Sequence, residues 1–374
     1  MKEIQKTAVM YGAGNIGRGF IGQVFHDSGY EVIFVDIDRD VVTSINERKS
    51  YTQLTIDGDN IKKRKITGVR AVDGSDREAV IKEVATCDVM AVSVGAAVLP
   101  RIAPLLADGI KSRTKTLNIL VCENLAHAPE VLKSYIREHL SDASVLERVG
   151  FIGASIGRMV PVIPAQLREN DPTLIAVEQF CTLPVDGDAV IQPMPELKHT
   201  VLCSPFAFEE GKKLYIHNMG HALAAYFGFL ESYTFIWEAI EDKNIYAKVH
   251  NAMTATSQAL AQKYSESTNA LAVYTDDLLK RFKNKGLGDT ITRVGGDPLR
   301  KLAPGDRLMG AVELCKEQDK DYTSILSGIA AALLFDVPGD PSSALLKEKI
   351  NVLGIKTFLV DECGLSEADA EKCV

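Results

Sequence analysis

The sequence predicts a chain of two unlike domains, an α/β domain on a doubly wound parallel sheet followed by an all-α C-terminal domain. Three observations predict this. The first half alternates short apolar runs with helical patterns, and alternation of that kind gives a parallel sheet wrapped by helices. The second half is almost free of strand signals and carries Ala-rich helical faces. The length, 374 residues, exceeds the ~250–300 beyond which single cores split into domains.

Taken in order, Thr7-Ala-Val-Met-Tyr11 reads as a buried strand, and residues 18–28 follow with Phe20, Ile21, Val24 and Phe25 at helical steps. Glu31-Val-Ile-Phe-Val-Asp36 is the second strand. Residues 89–94 and 117–122 are further buried strands, and 149–154 with 174–180 are expected to extend the same sheet. Pro184-Val-Asp-Gly-Asp188 and Pro193-Met-Pro195 then supply breakers, so the domains are expected at 1–195 and 196–374. Residues 206–261 and 306–334 read as helical. The tail shows a Ser366 cap ahead of a short acidic helix.

The join between the first strand and its helix is Gly12, Ala13, Gly14, Asn15, Ile16 and Gly17, a Gly-x-Gly-x-x-Gly loop in the context that this fingerprint requires. Gly12 permits the tight turn, Gly14 lets a pyrophosphate approach the backbone, and Gly17 allows close packing, so that phosphates meet the helix N-terminus. This predicts a Rossmann-type, dinucleotide-binding domain. Asp36 ends the second strand 19 residues after Gly17. A carboxylate there accepts from a ribose 2′-hydroxyl and repels a 2′-phosphate, which favours NAD over NADP. Asp38 reads as a helix cap or a solvated acid. Ser93-Val94-Gly95 and Glu123-Asn124 lie just past the carboxyl ends of later strands, the rim where open α/β sheets bind nucleotides, and Val94, Gly95 and Asn124 join the expected cofactor contacts.

Composition excludes several classes. A net charge of −8 argues against nucleic acid or an anionic membrane surface as the main partner. No apolar run approaches the ~20 residues that cross a bilayer, and the first seven residues lead straight into a strand rather than into a signal peptide. Seven scattered cysteines show no ligand spacing, so no metal site is expected and a cytoplasmic location with reduced thiols is.

Lys213, Asn218 and His221 share one proline-free stretch with apolar residues at helical spacing. At ~100° per residue they fall within a ~140° arc, with His221 between the other two. A base, an amide and an imidazole on one face suit proton abstraction from a hydroxyl and polarisation of the resulting carbonyl. The competing reading is a polar helix face in water. Within the stretch, Lys212 competes with Lys213 as the buried amine and His217 with His221, while Asn124 reads equally as a cap for the helix after its strand.

Taken together, Gly12-Ala-Gly-Asn-Ile-Gly-Arg-Gly-Phe-Ile-Gly22, Cys122-Glu-Asn124, the Lys213-x4-Asn218-x2-His221 pattern, Pro298-Leu-Arg-Lys-Leu302 and Gly305-Asp-Arg-Leu308 resemble the polyol-specific long-chain dehydrogenases, the mannitol dehydrogenase family. The resemblance runs in order along most of the chain and thins after Val337. It implies zinc-independent, NAD-linked interconversion of a polyol or polyol phosphate, mannitol 1-phosphate-like, with a ketose of the fructose 6-phosphate type. It further implies Lys213 as general base, Asn124 and Asn218 as amide donors to the oxygen, and His221 as an orienting group, meeting in a crevice between the domains. A substrate phosphate needs a fixed cation. Arg300 and Lys301 are the first candidates, followed by Arg158, Arg293 and Arg307; the alternative is that Arg300 and Arg307 pair with Asp297 and Asp306 as fasteners. One departure stands out: where the family usually reads Val-Asp-Arg-Ile before a proline, this chain reads Ser155-Ile-Gly-Arg-Met-Val-Pro161, with Gly157 in place of the acid. That leaves room for two other functions, an NAD(P)-dependent reductase of a sugar acid and a non-catalytic NAD-binding protein.

Overall fold

A computed structural model describes residues 6–161, 163 and 171–374; the lead-in, residues 1–5, lies outside them. The chain divides into two compact units, Met1–Phe206 and Ala207–Val374.

The first unit carries β1 (Thr7–Tyr11), β2 (Glu31–Asp36), β3 (Ser50–Asp57), β4 (Asn60–Thr67), β5 (Val69–Asp73), β6 (Val89–Val92), β7 (Leu117–Val121), β8 (Val149–Gly153), β9 (Ile175–Glu178), β10 (Leu183–Asp186) and β11 (Thr200–Cys203). Six of them form one sheet in the order β5-β2-β1-β6-β7-β8, every neighbouring pair parallel. The order reverses between β1 and β6, the switch point at which open sheets of this kind bind ligands. Helices cover both faces, which is why these strands are apolar throughout rather than alternating. Ala8, Met10 and Phe34 point to the face packed by Phe20, Ile21, Val24 and Phe25 and by Val41 and Ile45 of α2 (Arg39–Arg48). Val9, Tyr11 and Ile33 point to the other face, against α3 (Arg77–Thr86), α4 (Leu99–Lys111) and α5 (Ala128–Arg137). Phe34 is fully buried in this layer, and its truncation to Ala costs ~3–5 kcal/mol. Asp38 is the cap of α2, accepting from the amides of Asp40 and Val41 at 3.1 and 3.2 Å.

Two sequence expectations are corrected here. The strand at 174–180 does not extend the main sheet: β9 pairs parallel with β3, in a separate sheet ordered β4-β3-β9. The β3–β4 hairpin, with Gly58 at a positive φ, escaped the reading because its outer strand is polar and exposed along most of its length. The first unit also runs beyond residue 195, because β11 pairs with β10 and ties residues 200–203 to it.

The second unit is helical: α6 (Phe206–Gly211), α7 (Met219–Leu230), α8 (Ile236–Glu241), α9 (Lys243–Tyr264), α10 (Thr268–Phe282), α11 (Ile291–Gly295), α12 (Pro298–Lys301), α13 (Met309–Glu317), α14 (Thr323–Leu333) and α15 (Pro341–Leu353) lead to short helical turns at the C-terminus. Its central rod is α7, buried continuously from Ala222 to Gly228. The capping acid of the 22-residue α9 is Asp242, bonded to the amides of Asn244 and Ile245. Among the described residues no helix is long and apolar enough to cross a membrane.

Candidate active site

The glycine loop is built to be empty where a ligand's phosphates belong. Gly12 has φ +102°, and a Cβ there would lie 2.1 Å from Ser93 O on the neighbouring strand end, so no side chain fits. A Cβ on Gly17 would lie 1.9 Å from Gly12 O, whereas one on Gly14 meets nothing within 4 Å. Gly12 and Gly17 let β1 and the following helix close together, and Gly14 faces space open among the described residues. That helix starts with a π-helical turn, Gly17–Ile21, before α1 (Gly22–Asp27). Buried Arg18 clamps the loop, donating Nε–H to Ala13 O at 2.6 Å. At the end of β2, Asp36 accepts from the Ala13 amide through Oδ2 at 2.6 Å and from Asp38 through Oδ1 at 3.0 Å. Gly12, Ala13, Gly14, Asn15, Ile16, Gly17 and Asp36 are thus gathered around one open cradle that fits a dinucleotide.

On the same rim, Val94 and Gly95 follow β6. Their amides both donate to Glu123 at the end of β7, at 2.7 Å and 3.1 Å. Burial pushes the Glu123 carboxyl above its usual range, against the pull of those two amides. Glu123 therefore ties two rim loops together, a role that a reading centred on its neighbour Asn124 missed. Asn124 is exposed, and the N-cap position of α5 belongs to His127, so Asn124 is not spent on capping that helix.

In the second unit the Lys213 stretch is not one continuous α-helix. Residues Lys212–Asn218 wind as a π-helix between α6 and α7. Hydrogen bonds from i to i+5 widen the turn and bring residue i+5 nearly over residue i. Lys213 and Asn218 stand five apart, so the ~140° between them in α geometry narrows and both side chains share a tighter face. His221 follows in the first turn of α7. All three are half-buried.

The competitors have other commitments. Lys212 bonds to Glu209 Oε1 at 2.7 Å, with its ammonium 4.9 Å from the Tyr274 ring centre. His217 is only 6% exposed, and burial, then the charges of Arg281, His221, Lys213 and Arg307, hold its proton affinity well below normal. His221 stacks on Phe282 with centroids 4.7 Å apart and planes 12° apart, and its Nε2 lies 3.1 Å from Oδ2 of Asp289. Neither Asp289 nor Phe282 carries a motif signal, and both lie far along the chain from His221.

The candidate phosphate ligands separate. Arg300 pairs with Asp297 at 2.6 Å and Arg307 with Asp306 at 2.8 Å, which is the fastening alternative. Arg293 is paired with Asp289. Lys301 differs: it is 4% exposed, and its ammonium forms no ion pair with a described residue. Burial, reinforced by Arg307 and Arg300, lowers its pKa to about 8. Arg158 is corrected. It is 5% exposed in the first unit, donating to Glu178 O, Gly19 O and Gln23 Oε1 at 2.8–3.1 Å, so it is an internal strut rather than a substrate ligand.

Comparison with known proteins agrees with this architecture. Residues 6–199 match the family model of the mannitol dehydrogenase Rossmann domain, and residues 206–353 match that of the mannitol dehydrogenase C-terminal domain. Among curated relatives, the mannitol-1-phosphate 5-dehydrogenase of Geobacillus thermodenitrificans is 34% identical over 370 residues, covering 96% of this chain and 95% of its own. That of Brevibacillus brevis is 36% identical over 366 residues, covering 96% and 93%. Among solved structures, Pseudomonas fluorescens mannitol 2-dehydrogenase in ternary complex with NAD and D-mannitol superposes with TM-score 0.78 at 15% identity, covering 99% of this chain and 91% of that one; at such identity the likeness speaks to fold. On two family models that together span most of its length, the chain belongs to the mannitol dehydrogenase family.

Proposed function

We propose that the protein is an NAD-dependent polyol-phosphate dehydrogenase that interconverts a mannitol 1-phosphate-like substrate and a fructose 6-phosphate-like ketose. The observation that carries this is the π-helical segment Lys212–Asn218, which puts an amine and an amide on one face with an imidazole one turn on. Curated relatives at 34–36% identity, named for mannitol 1-phosphate oxidation, support the substrate class.

Each group has a task set by its chemistry. Lys213 in its neutral form removes the proton from the reacting hydroxyl, and its ammonium returns that proton in the reverse direction. Bound NAD supplies the hydride acceptor. Asn218 and Asn124 direct amide N–H donors at the oxygen as it gains negative charge, each contributing about 2.7–4 kcal/mol by analogy with single oxyanion donors. His221 orients the polyol. Asp36 accepts from the adenosine ribose hydroxyls and disfavours a 2′-phosphate. Lys301, buried with Arg300 and Arg307 close by, meets the substrate phosphate; its ammonium, in no ion pair with a described residue, gains a direct counter-charge there.

The test follows reduced nicotinamide by absorbance with a panel of sugar alcohols, their phosphates and sugar acids. Mannitol 1-phosphate is expected to outperform mannitol, and sugar acids to be inert. Lys213→Ala should lower turnover by about 10²–10⁴-fold while leaving NAD affinity, read by titration calorimetry, unchanged. Turnover of Lys213→Ala at the parent rate overturns the reading.

A further inference from the structure

We propose that Asp289 is a positioning residue that holds the His221 proton on Nε2, so that Nδ1 is the hydrogen-bond acceptor this imidazole offers to a polyol hydroxyl. The inference rests on His221 belonging to the active site, as set out above, and adds a residue and a protonation pattern to it.

The geometry has four parts. First, buried Nε2 of His221 lies 3.1 Å from Oδ2 of Asp289, its nearest carboxylate oxygen, yet out of line with it, so that among the described residues this nitrogen makes no well-aligned hydrogen bond. A carboxylate accepts only, so this contact is favourable when the proton is on Nε2; a buried ring nitrogen left unsatisfied is costly. Secondly, the ring cannot easily turn to exchange its nitrogens. It is stacked flat on Phe282, itself 3% exposed at the end of α10, and His217 packs 6.1 Å away.

Thirdly, Asp289 is held from behind. Its carboxylate also accepts from Arg293, Nε at 2.8 Å, on the first turns of α11. Its backbone carbonyl accepts from the Ile236 amide at 2.9 Å, and Phe235 bridges Thr290 beside it. Tyr226 on α7 donates to Gly295 O on α11 at 3.1 Å, so the helix bearing His221 and the helix next to Asp289 are bolted together. Fourthly, the Asp289 side chain is 10% exposed. Burial pushes its carboxyl up, but the proximity of His221, then Arg293, outweighs it and holds the group below the usual carboxylate range.

A carboxylate that orients an imidazole in this way fixes which nitrogen faces the chemistry, as the aspartate of a serine-protease triad does. It follows that Nδ1 of His221 receives a hydrogen bond from the polyol rather than giving one to the developing oxyanion, and the amides of Asn124 and Asn218 are left as the oxyanion donors.

The experiment has two arms on the full-length protein. In the first, ring 15N shifts of histidine-labelled parent are compared with those of His221→Ala to identify the His221 signals; a protonated Nε2 and an unprotonated Nδ1 are expected. The Nδ1–H tautomer overturns the proposal, and this arm needs no activity. In the second, kcat and KM are measured for Asp289→Asn, His221→Ala and the double variant, with NAD affinity and thermal unfolding as controls for folding. Asparagine can turn its N–H₂ toward Nε2 and drive the proton to Nδ1. Asp289→Asn should lower kcat about 10²-fold with NAD affinity unchanged, and should cost no more than about 3-fold further once His221 is gone. Equal losses in both backgrounds mean that Asp289 is a fastener only and overturn the proposal. Parent-level turnover of His221→Ala overturns the site reading and this inference with it, whereas an Nδ1–H tautomer in an active-site His221 overturns the Asp289 role alone.

Discussion

At the scale of single residues, Lys301 gives the sharpest pH dependence. Its folded pKa of about 8 lies below the ordinary 10.5, so at neutral pH the fold carries a buried cation that it would rather deprotonate, a cost of about 3 kcal/mol. The sign follows from linkage. Between pH 8 and 10.5 the unfolded chain binds the proton and the folded chain does not, so this group's contribution to stability improves as pH rises through that window. On the role proposed for Lys301, substrate binding should have the opposite dependence, because a phosphate needs the ammonium. The KM for a phosphorylated polyol should climb as pH passes 8 while that for its unphosphorylated form does not. Lys301→Met should raise the first KM at least about 10-fold and raise the unfolding temperature at pH 7; equal KM changes for both forms remove Lys301 from the phosphate site. Gly157 gives a second residue-level prediction. Among the described residues a Cβ there would touch only Phe180 Cε1 at 3.5 Å, and its φ is not positive, so Gly157→Asp should fold normally. If the missing acid is a lost acceptor for a polyol hydroxyl, restoring it should lower KM about 2–10-fold, the worth of one hydrogen bond, as measured by initial rates; an unchanged KM separates that position from substrate.

At the scale of elements, the π-helical turn is the feature on which the proposed site depends. A π turn is an α-helix carrying one extra residue, and such bulges persist at functional sites because the helix would otherwise be better hydrogen-bonded. Deleting Lys212 should let the rest of the segment relax to α geometry, with α7 keeping its phase against α9 and α11 and with Lys213 and Asn218 still five apart, so that ~140° separates them. Unfolding temperature should change little, whereas turnover should fall about 10²-fold or more through misplacement of Lys213 relative to Asn218. Undiminished turnover in the deletion variant would show that the wide turn is incidental. This turn marks the limit of what was legible in the chain. β1 and β2 could be read to the residue because continuous apolar runs end at Gly12 and at Asp36, where the chemistry of the loop requires a change of residue type. The Lys/Asn/His pattern could be found, but its geometry could not, since no side chain signals a switch from i+4 to i+5 hydrogen bonding. β3 and β4 were missed although Asp57-Gly58-Asp59-Asn60 is a turn signal, because their exposed positions dilute the alternation. Asp289 was out of reach for another reason. Its contact with His221 spans 68 positions and exists only once α7 and α11 have packed.

At the scale of the whole molecule, two units with separate cores make cofactor binding and polyol chemistry separable by experiment. The first unit's glycine cradle, Asp36 and the Val94–Glu123–Gly95 tie are built on strand ends of one sheet, whose apolar layers on both faces make it rigid. A ligand that binds only the folded state adds RT ln(1 + [L]/Kd) to its stability, ~2.7 kcal/mol at 100 times Kd. NAD alone should therefore raise the unfolding temperature of the parent, and NADP should do so far less, since Asp36 repels a 2′-phosphate. Gly12→Val places its Cβ against Ser93 O and should erase the NAD-dependent rise, whereas Lys213→Ala should keep it in full. The reverse holds for turnover with a phosphorylated polyol at saturating NAD, where Lys213→Ala is silent even though its cofactor cradle is intact. Scanning calorimetry on the parent and these two variants reads the first half of this pattern and the absorbance assay the second. An NAD-dependent rise that survives in Gly12→Val would move the dinucleotide away from the glycine loop, and with it every role assigned to the rim of the sheet.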